Sequence, residues 1–169
     1  CPQVGTRADL HIPGDRHAGA YRCEGADPRV VTDRRATVDD RVRCELVSGN
    51  YFPALRLRPA LGRLLGPDDD RVQGAHPVVV LSHSYWTTRF GADPSVLGGT
   101  LVVNGEPMTI VGVAAAGFTG NTTTDRPQVF MPLTMAGRAF RDAQWDGMTA
   151  RNNHWLYLFA RLRSDVSRE

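Results

Sequence analysis

TLVVNGEPMTIVGV, residues 100–113, is the stretch from which the fold is read. Asn104-Gly105 is the preferred pair for a two-residue type I′ turn, because both central positions need positive φ. A turn there sets Val103 opposite Glu106, Leu101 opposite Met108 and Thr100 opposite Thr109. Leu101, Val103, Met108 and Ile110 then share one largely apolar face. Pro107 falls at a non-hydrogen-bonded position, which an edge strand tolerates.

Upstream of this hairpin, Pro77 to Leu81 is a continuous apolar run and predicts a buried strand. Ser82 is placed to cap a helix from His83 to Phe90, and Gly91 to stop it. Trp86 and Phe90 are four apart, so they share a helix face that packs on the sheet. Further back, Arg41 to Val47 alternates. Arg41, Arg43 and Glu45 fall on a polar side, Val42, Cys44 and Leu46 on an apolar one, which predicts a half-buried strand. Ser48 and Gly49 break it. Ser48 or Asn50 then caps a short helix through Leu55, with Pro53 in its first turn. Pro59 to Asp70 is a connecting stretch.

Downstream, residues 117–126 form a polar loop and Val129 to Pro132 a short strand. Trp155 to Arg163 alternates again, with Leu156, Leu158, Ala160 and Leu162 on one side, and predicts a terminal strand. Arg29 to Thr32 is a further short strand, whereas residues 1–28 carry no regular pattern. Strands with two or three short helices predict an α+β fold.

Composition narrows the function. Apolar residues make up 41% and charged residues 22% of the 169 residues, as in folded domains and unlike disordered chains. The net charge of +2 is too small for a nucleic-acid surface. Every basic residue other than histidine is Arg. A P-loop and a Schiff-base site both need Lys, so neither fits this chain. The longest mostly apolar run, Ile110 to Phe118, is far below the roughly 20 residues that span a bilayer. The chain starts at Cys1 without Met, which fits a piece of a longer protein whose flanks hold the membrane segments.

The chemical motifs point away from catalysis. None of the five His, among them His11, His17, His76 and His83, lies in a zinc signature. An EF-hand loop starting at Asp68, Asp69 or Asp70 needs Glu at its twelfth position, where Val79, Val80 and Leu81 stand. The acidic run therefore reads as a solvated loop. Ser82, His83 and Ser84 are helix-start neighbours rather than a catalytic set, and no G-x-S-x-G elbow occurs. Gly112, Gly117 and Gly120 do not match a dinucleotide fingerprint. Asn121-Thr122-Thr123 matches a glycosylation sequon, a frequent chance pattern. Cys44 reads as a buried thiol, with a Cys23–Cys44 disulfide as the alternative in an oxidising compartment. Tyr51, Phe52, Tyr85, Trp86, Phe90 and Trp155 read as core packing rather than a ligand-lining cluster. No catalytic, cofactor-binding or metal residue is assigned, and no cofactor is expected.

Four motifs carry a family resemblance: VSGNYF at Val47–Phe52, PALGR at Pro59–Arg63, PVVVLSHSYWTTRFGADP at Pro77–Pro94, and NGEPMTIVGVAAAGFTG at Asn104–Gly120. In order and spacing, Arg41 to Leu162 resembles the periplasmic core domain of MacB-like ABC-transporter permeases, of the duplicated orphan type common in acidobacteria. Arg56 stands where that family usually has Gly, and Ala115 where it has Pro.

The resemblance implies a domain projecting outside the membrane between two transmembrane helices of a permease. It implies a porter-like α/β part, placed at residues 1–62 and 130–169, and an inserted strand-rich Sabre-like lobe at 63–129. It also implies coupling of cytoplasmic ATP hydrolysis to export or to extracytoplasmic conformational change. The partners would be the transmembrane helices, a cytoplasmic ATPase subunit and a periplasmic adaptor; an isolated fragment would be monomeric and not an enzyme. The alternative is a free-standing extracytoplasmic solute-binding or protein-interaction domain.

Overall fold

The computed structural model describes residues 21–22, 36–38, 42–121, 126–139, 156 and 158. Its strands are β1 (Tyr21–Arg22), β2 (Ala36–Val38), β3 (Arg43–Val47), β4 (Leu61–Gly62), β5 (Val78–Leu81), β6 (Thr100–Val103), β7 (Glu106–Val113) and β8 (Val129–Pro132). Its α-helices are α1 (Tyr51–Leu55), α2 (His83–Phe90) and α3 (Ala136–Ala139). The strands form one mixed sheet in the order β1-β3-β8-β5-β7-β6-β2, with β4 pairing β7 off this path. The α+β expectation holds.

The hairpin forms in the register set by its turn. Thr100 pairs Thr109, Leu101 pairs Met108, Val102 pairs Pro107 and Val103 pairs Glu106. Asn104 and Gly105 take φ of 52° and 74°, as a type I′ turn requires. Leu101, Val103, Met108 and Ile110 are all buried. One point differs: β7 is an interior strand, flanked by β5 as well as β6. Pro107 is accommodated because β5 first meets β7 at Thr109, whose N–H donates to Pro77 O. The missing N–H of Pro107 lies beyond that ladder.

Both faces of the sheet are covered. Val42, Cys44, Val79, Leu81, Val129 and Met131 belong to one core, against which Tyr85 of α2 packs. Val47, Val80, Ala114 and Phe130 belong to the other, with Tyr51 and Phe52 of α1. This corrects the one-sided reading of β3. Glu45, expected on a solvent face, is half-buried. Alternation tells which residues share a face, and tertiary packing decides whether that face meets water.

The connecting stretch after Pro59 holds more order than expected. Leu61 pairs Val113 and Gly62 pairs Gly112 in β4, and Pro67–Asp70 is a 3-10 turn. A Cβ on Gly112 would stand 1.9 Å from Arg63 O, so only glycine allows this crossing. β5 and β7 are parallel, with a bulge where Val79 pairs Ile110 but Val80 pairs Gly112. β8 is parallel to β3 and antiparallel to β5. The expected division at 62/63 and 129/130 therefore runs across one hydrogen-bonded sheet.

The helix ends follow local chemistry. Ser82 Oγ accepts from Tyr85 N at 3.3 Å, and Gly91 closes α2 at φ 60°. In α1 the N-cap is Asn50, but no side chain caps it. The Ser48 and Asn50 carbonyls instead accept from Tyr51 N and Ala54 N. Arg56 ends α1 in the left-handed conformation at φ 53°, a position that favours glycine.

Leu156 and Leu158, expected to face inward, are exposed and lie in no strand. The rest of the expected terminal strand and the expected strand at Arg29–Thr32 lie outside the described residues, as do Cys1, Cys23, His11, His17 and Trp155.

Candidate functional site

Two polar constellations stand out against the apolar cores. The first centres on Glu45. Its carboxyl accepts a hydrogen bond from Tyr51 Oη at 3.3 Å on Oε1, while Oε2 is buried and has no hydrogen-bond partner among the described residues. Tyr51 belongs to a group of four rings. Its centroid lies 5.1 Å from Phe52, 6.2 Å from Phe118 and 6.1 Å from Phe130. Phe118 and Phe130 lie 5.6 Å apart. Burial beside these rings raises the Glu45 pKa from 4.5 to about 7, against the opposing effect of the Tyr51 hydrogen bond. The Tyr51 hydroxyl is pushed well above its ordinary range, first by its own burial and then by the Glu45 charge.

The second constellation is the turn at Pro67–Asp70. Arg63 donates two hydrogen bonds to Asp69, at 2.6 and 2.8 Å. Asp69 Oδ2 also accepts from Gly66 N at 2.9 Å. Hydrogen bonding from Arg63 is the largest effect on Asp69 and holds its pKa below 3.8, with burial opposing. Asp70 accepts from Gly49 N at 3.0 Å and from Thr134 N at 2.9 Å. Only Asp68 is left at the surface, paired with Arg71 at 2.8 Å. The acidic run is thus a bracket between segments, correcting the solvated-loop reading. The reason is its surplus of neighbouring N–H donors, which carboxylates satisfy strongly.

The residues weighed as chemical motifs are dispersed. His83 meets Trp86 edge-on at 5.5 Å, and His76 keeps a buried Nδ1. Ser82 Oγ serves the helix cap. Cys44 is buried, with Sγ 3.5 Å from Val42 O. Asn121 is exposed. Among the described residues there is no group of three or more His, Cys, Asp or Glu placed to hold a metal ion. No helix among them is long and apolar enough to cross a membrane. Tyr51, Phe52 and Tyr85 are buried, whereas Trp86 and Phe90 are only partly so.

Sequence reasoning missed Glu45, Arg63, Asp69 and Asp70 as structural actors. A usable signal existed for Glu45: a lone carboxylate between Cys44 and Leu46, six residues before an aromatic pair. Nothing local distinguished Asp70, whose partners come from two distant segments.

These features define an α+β domain whose polar residues bind its own segments together around a sheet covered on both faces. Residues 6–169 match the family model of the MacB-like periplasmic core domain, and the chain belongs to that family. It is 33% identical over 110 residues to the macrolide export ATP-binding/permease protein MacB of Burkholderia thailandensis, covering 63% of this chain and 16% of that protein. It is 28% identical over 135 residues to the probable syringafactin export ATP-binding/permease protein SyfD of Pseudomonas syringae pv. syringae, covering 78% of this chain and 20% of that protein. The chain thus spans a fifth or less of the length of these relatives. The crystal structure of the periplasmic region of MacB from Actinobacillus actinomycetemcomitans aligns with a TM-score of 0.47 at 24% identity, covering 61% of this chain and 43% of that one.

Proposed function

We propose that this domain is the extracytoplasmic, non-catalytic part of an ABC-transporter export permease. It transmits movement of the membrane helices, driven by a cytoplasmic ATPase, to a substrate or a periplasmic adaptor. The family membership carries this reading, and relatives that are export ATP-binding/permease proteins support it.

The architecture suits the role. A transmitting body must resist deformation, and dense packing on both sheet faces supplies that stiffness. Asp70 adds charged hydrogen bonds from the turn to the segments that follow β3 and β8, and Asp69 ties the turn to Gly66 and Arg63.

The test uses the full-length gene product in membranes. Excising this domain is expected to abolish export and leave nucleotide binding intact. Undiminished export without the domain would reject the proposal. The isolated chain is expected to be monomeric in light scattering and to bind no ATP in calorimetry. Flanking apolar segments of about 20 residues on both sides distinguish a permease from a free-standing binding protein.

A further inference from the structure

We propose that Glu45 is a proton-operated latch that holds the segment from Phe118 to Gly120 against the sheet. This is a property of the fold and does not depend on the transport reading.

The segment docks at two points. Phe118 packs among Tyr51, Phe52 and Phe130. Two residues on, Gly120 lies over the Glu45 carboxyl: a Cβ there would stand 2.8 Å from Glu45 Oε2 and 3.1 Å from Pro127 Cγ. Gly120, itself flanked by Pro127, therefore roofs the carboxyl oxygen that lacks a hydrogen-bond partner among the described residues. A neutral acid tolerates that roof. A carboxylate does not, because its charged oxygen loses water and gains no donor among the described residues. Ionisation thus favours lifting the roof, and protonation favours closing it.

Among the described residues, the charged surroundings leave the decision to this one group. From α1 only Tyr51 faces it. The segment 114–121 contains no titratable residue, nor does β8. On β3 itself, Arg43 donates from Nε to Arg126 O at 3.1 Å. Arg43 and Arg126 line a groove beside Tyr85 and Thr88. Neither makes an ion pair with Glu45.

The test is a carboxyl NMR titration of the whole chain, with hydrogen exchange at the Phe118 and Gly120 amides. The Glu45 carboxyl is expected to titrate near pH 7. The opening constant of the segment should rise about tenfold per pH unit from 4.5 to about 7, then level off. Glu45→Gln should remove that rise, leaving only the intrinsic pH dependence of exchange. Tyr51→Phe should move the midpoint upward, since the lost hydrogen bond favours the carboxylate. A Glu45 midpoint near 4.5, or equal slopes for wild type and Glu45→Gln, would overturn the latch. The wild-type midpoint decides even if a variant fails to fold.

Discussion

Asp70 reaches across 64 positions of sequence to Thr134, accepting from its backbone N–H at 2.9 Å. The other carboxylate oxygen of Asp70 accepts from Gly49 N at 3.0 Å. One side chain therefore joins the segments that leave the parallel strands β3 and β8. Asp70→Ala leaves two amides without their acceptor and is expected to cost about 2–4 kcal/mol. Asp70→Asn, which keeps one acceptor oxygen, should cost about half as much. Urea unfolding of both variants measures the difference, and equal losses would contradict the two-ended role.

Arg56 gives a prediction of opposite sign. A left-handed conformation costs a non-glycine residue about 1–2 kcal/mol, partly offset by the greater unfolded-state entropy of glycine. Arg56→Gly is expected to stabilise the domain by about 0.5–1 kcal/mol. A rise in the urea midpoint at unchanged slope would bear this out, and a fall would refute it. The family's usual glycine at this position then has a conformational reason.

The Arg63–Asp69 pair sets an acid limb. Its hydrogen bonds hold the Asp69 pKa below 3.8. A depressed carboxylate stabilises the fold above its unfolded value, and that contribution is lost as pH falls through the folded one. Asp69→Asn should therefore flatten the stability loss below about pH 4. At neutral pH, Arg63→Ala is expected to cost about 1–2 kcal/mol, limited because Arg63 is half-exposed. Thermal melts from pH 2 to 7 would reveal both effects. Glu45 acts the other way: its raised pKa favours the fold at low pH, with stability lost as pH rises from 4.5 to about 7.

Tyr85 and Trp86 of α2, both read from the sequence as core packing, differ in burial. Tyr85 is 4% exposed and Trp86 only partly buried, with Nε1 donating to Asp93 O at 2.9 Å. Tyr85→Ala is expected to cost about 3–5 kcal/mol and Trp86→Ala about 1–2. Chemical denaturation of the pair decides the order.

The legible parts of the fold were those fixed by neighbours in sequence. The Asn104-Gly105 turn set the hairpin register, and Ser82 and Gly91 bounded α2, because each acts within a few residues of itself. The roles of Glu45 and Asp70 were not legible. Glu45 looked like a solvent-facing residue because β3 alternates, whereas the packing of α1 and of the segment from Phe118 to Gly120 covers it. β4 escaped notice because two residues carry no periodicity, and its existence rests on the missing side chain of Gly112. Trp86 drew attention by size, yet the helix turns Tyr85 to the core.

The bulge between β5 and β7 has a consequence for how this chain tolerates insertions and deletions. Ile110 faces the core that contains Val79, and Val111 packs on the opposite one. Strict alternation would send Val113 to the Val111 side, but after the bulge it lies in the Ile110 core and Ala114 in the other. One supernumerary residue thus corrects the phase of everything downstream. Straightening the bulge with that residue kept, or adding one more residue to the strand, would turn Val113 and Ala114 inside out at once. Insertions among relatives should therefore accumulate around Gly120, beyond the end of β7, and be purged between Ile110 and Ala114.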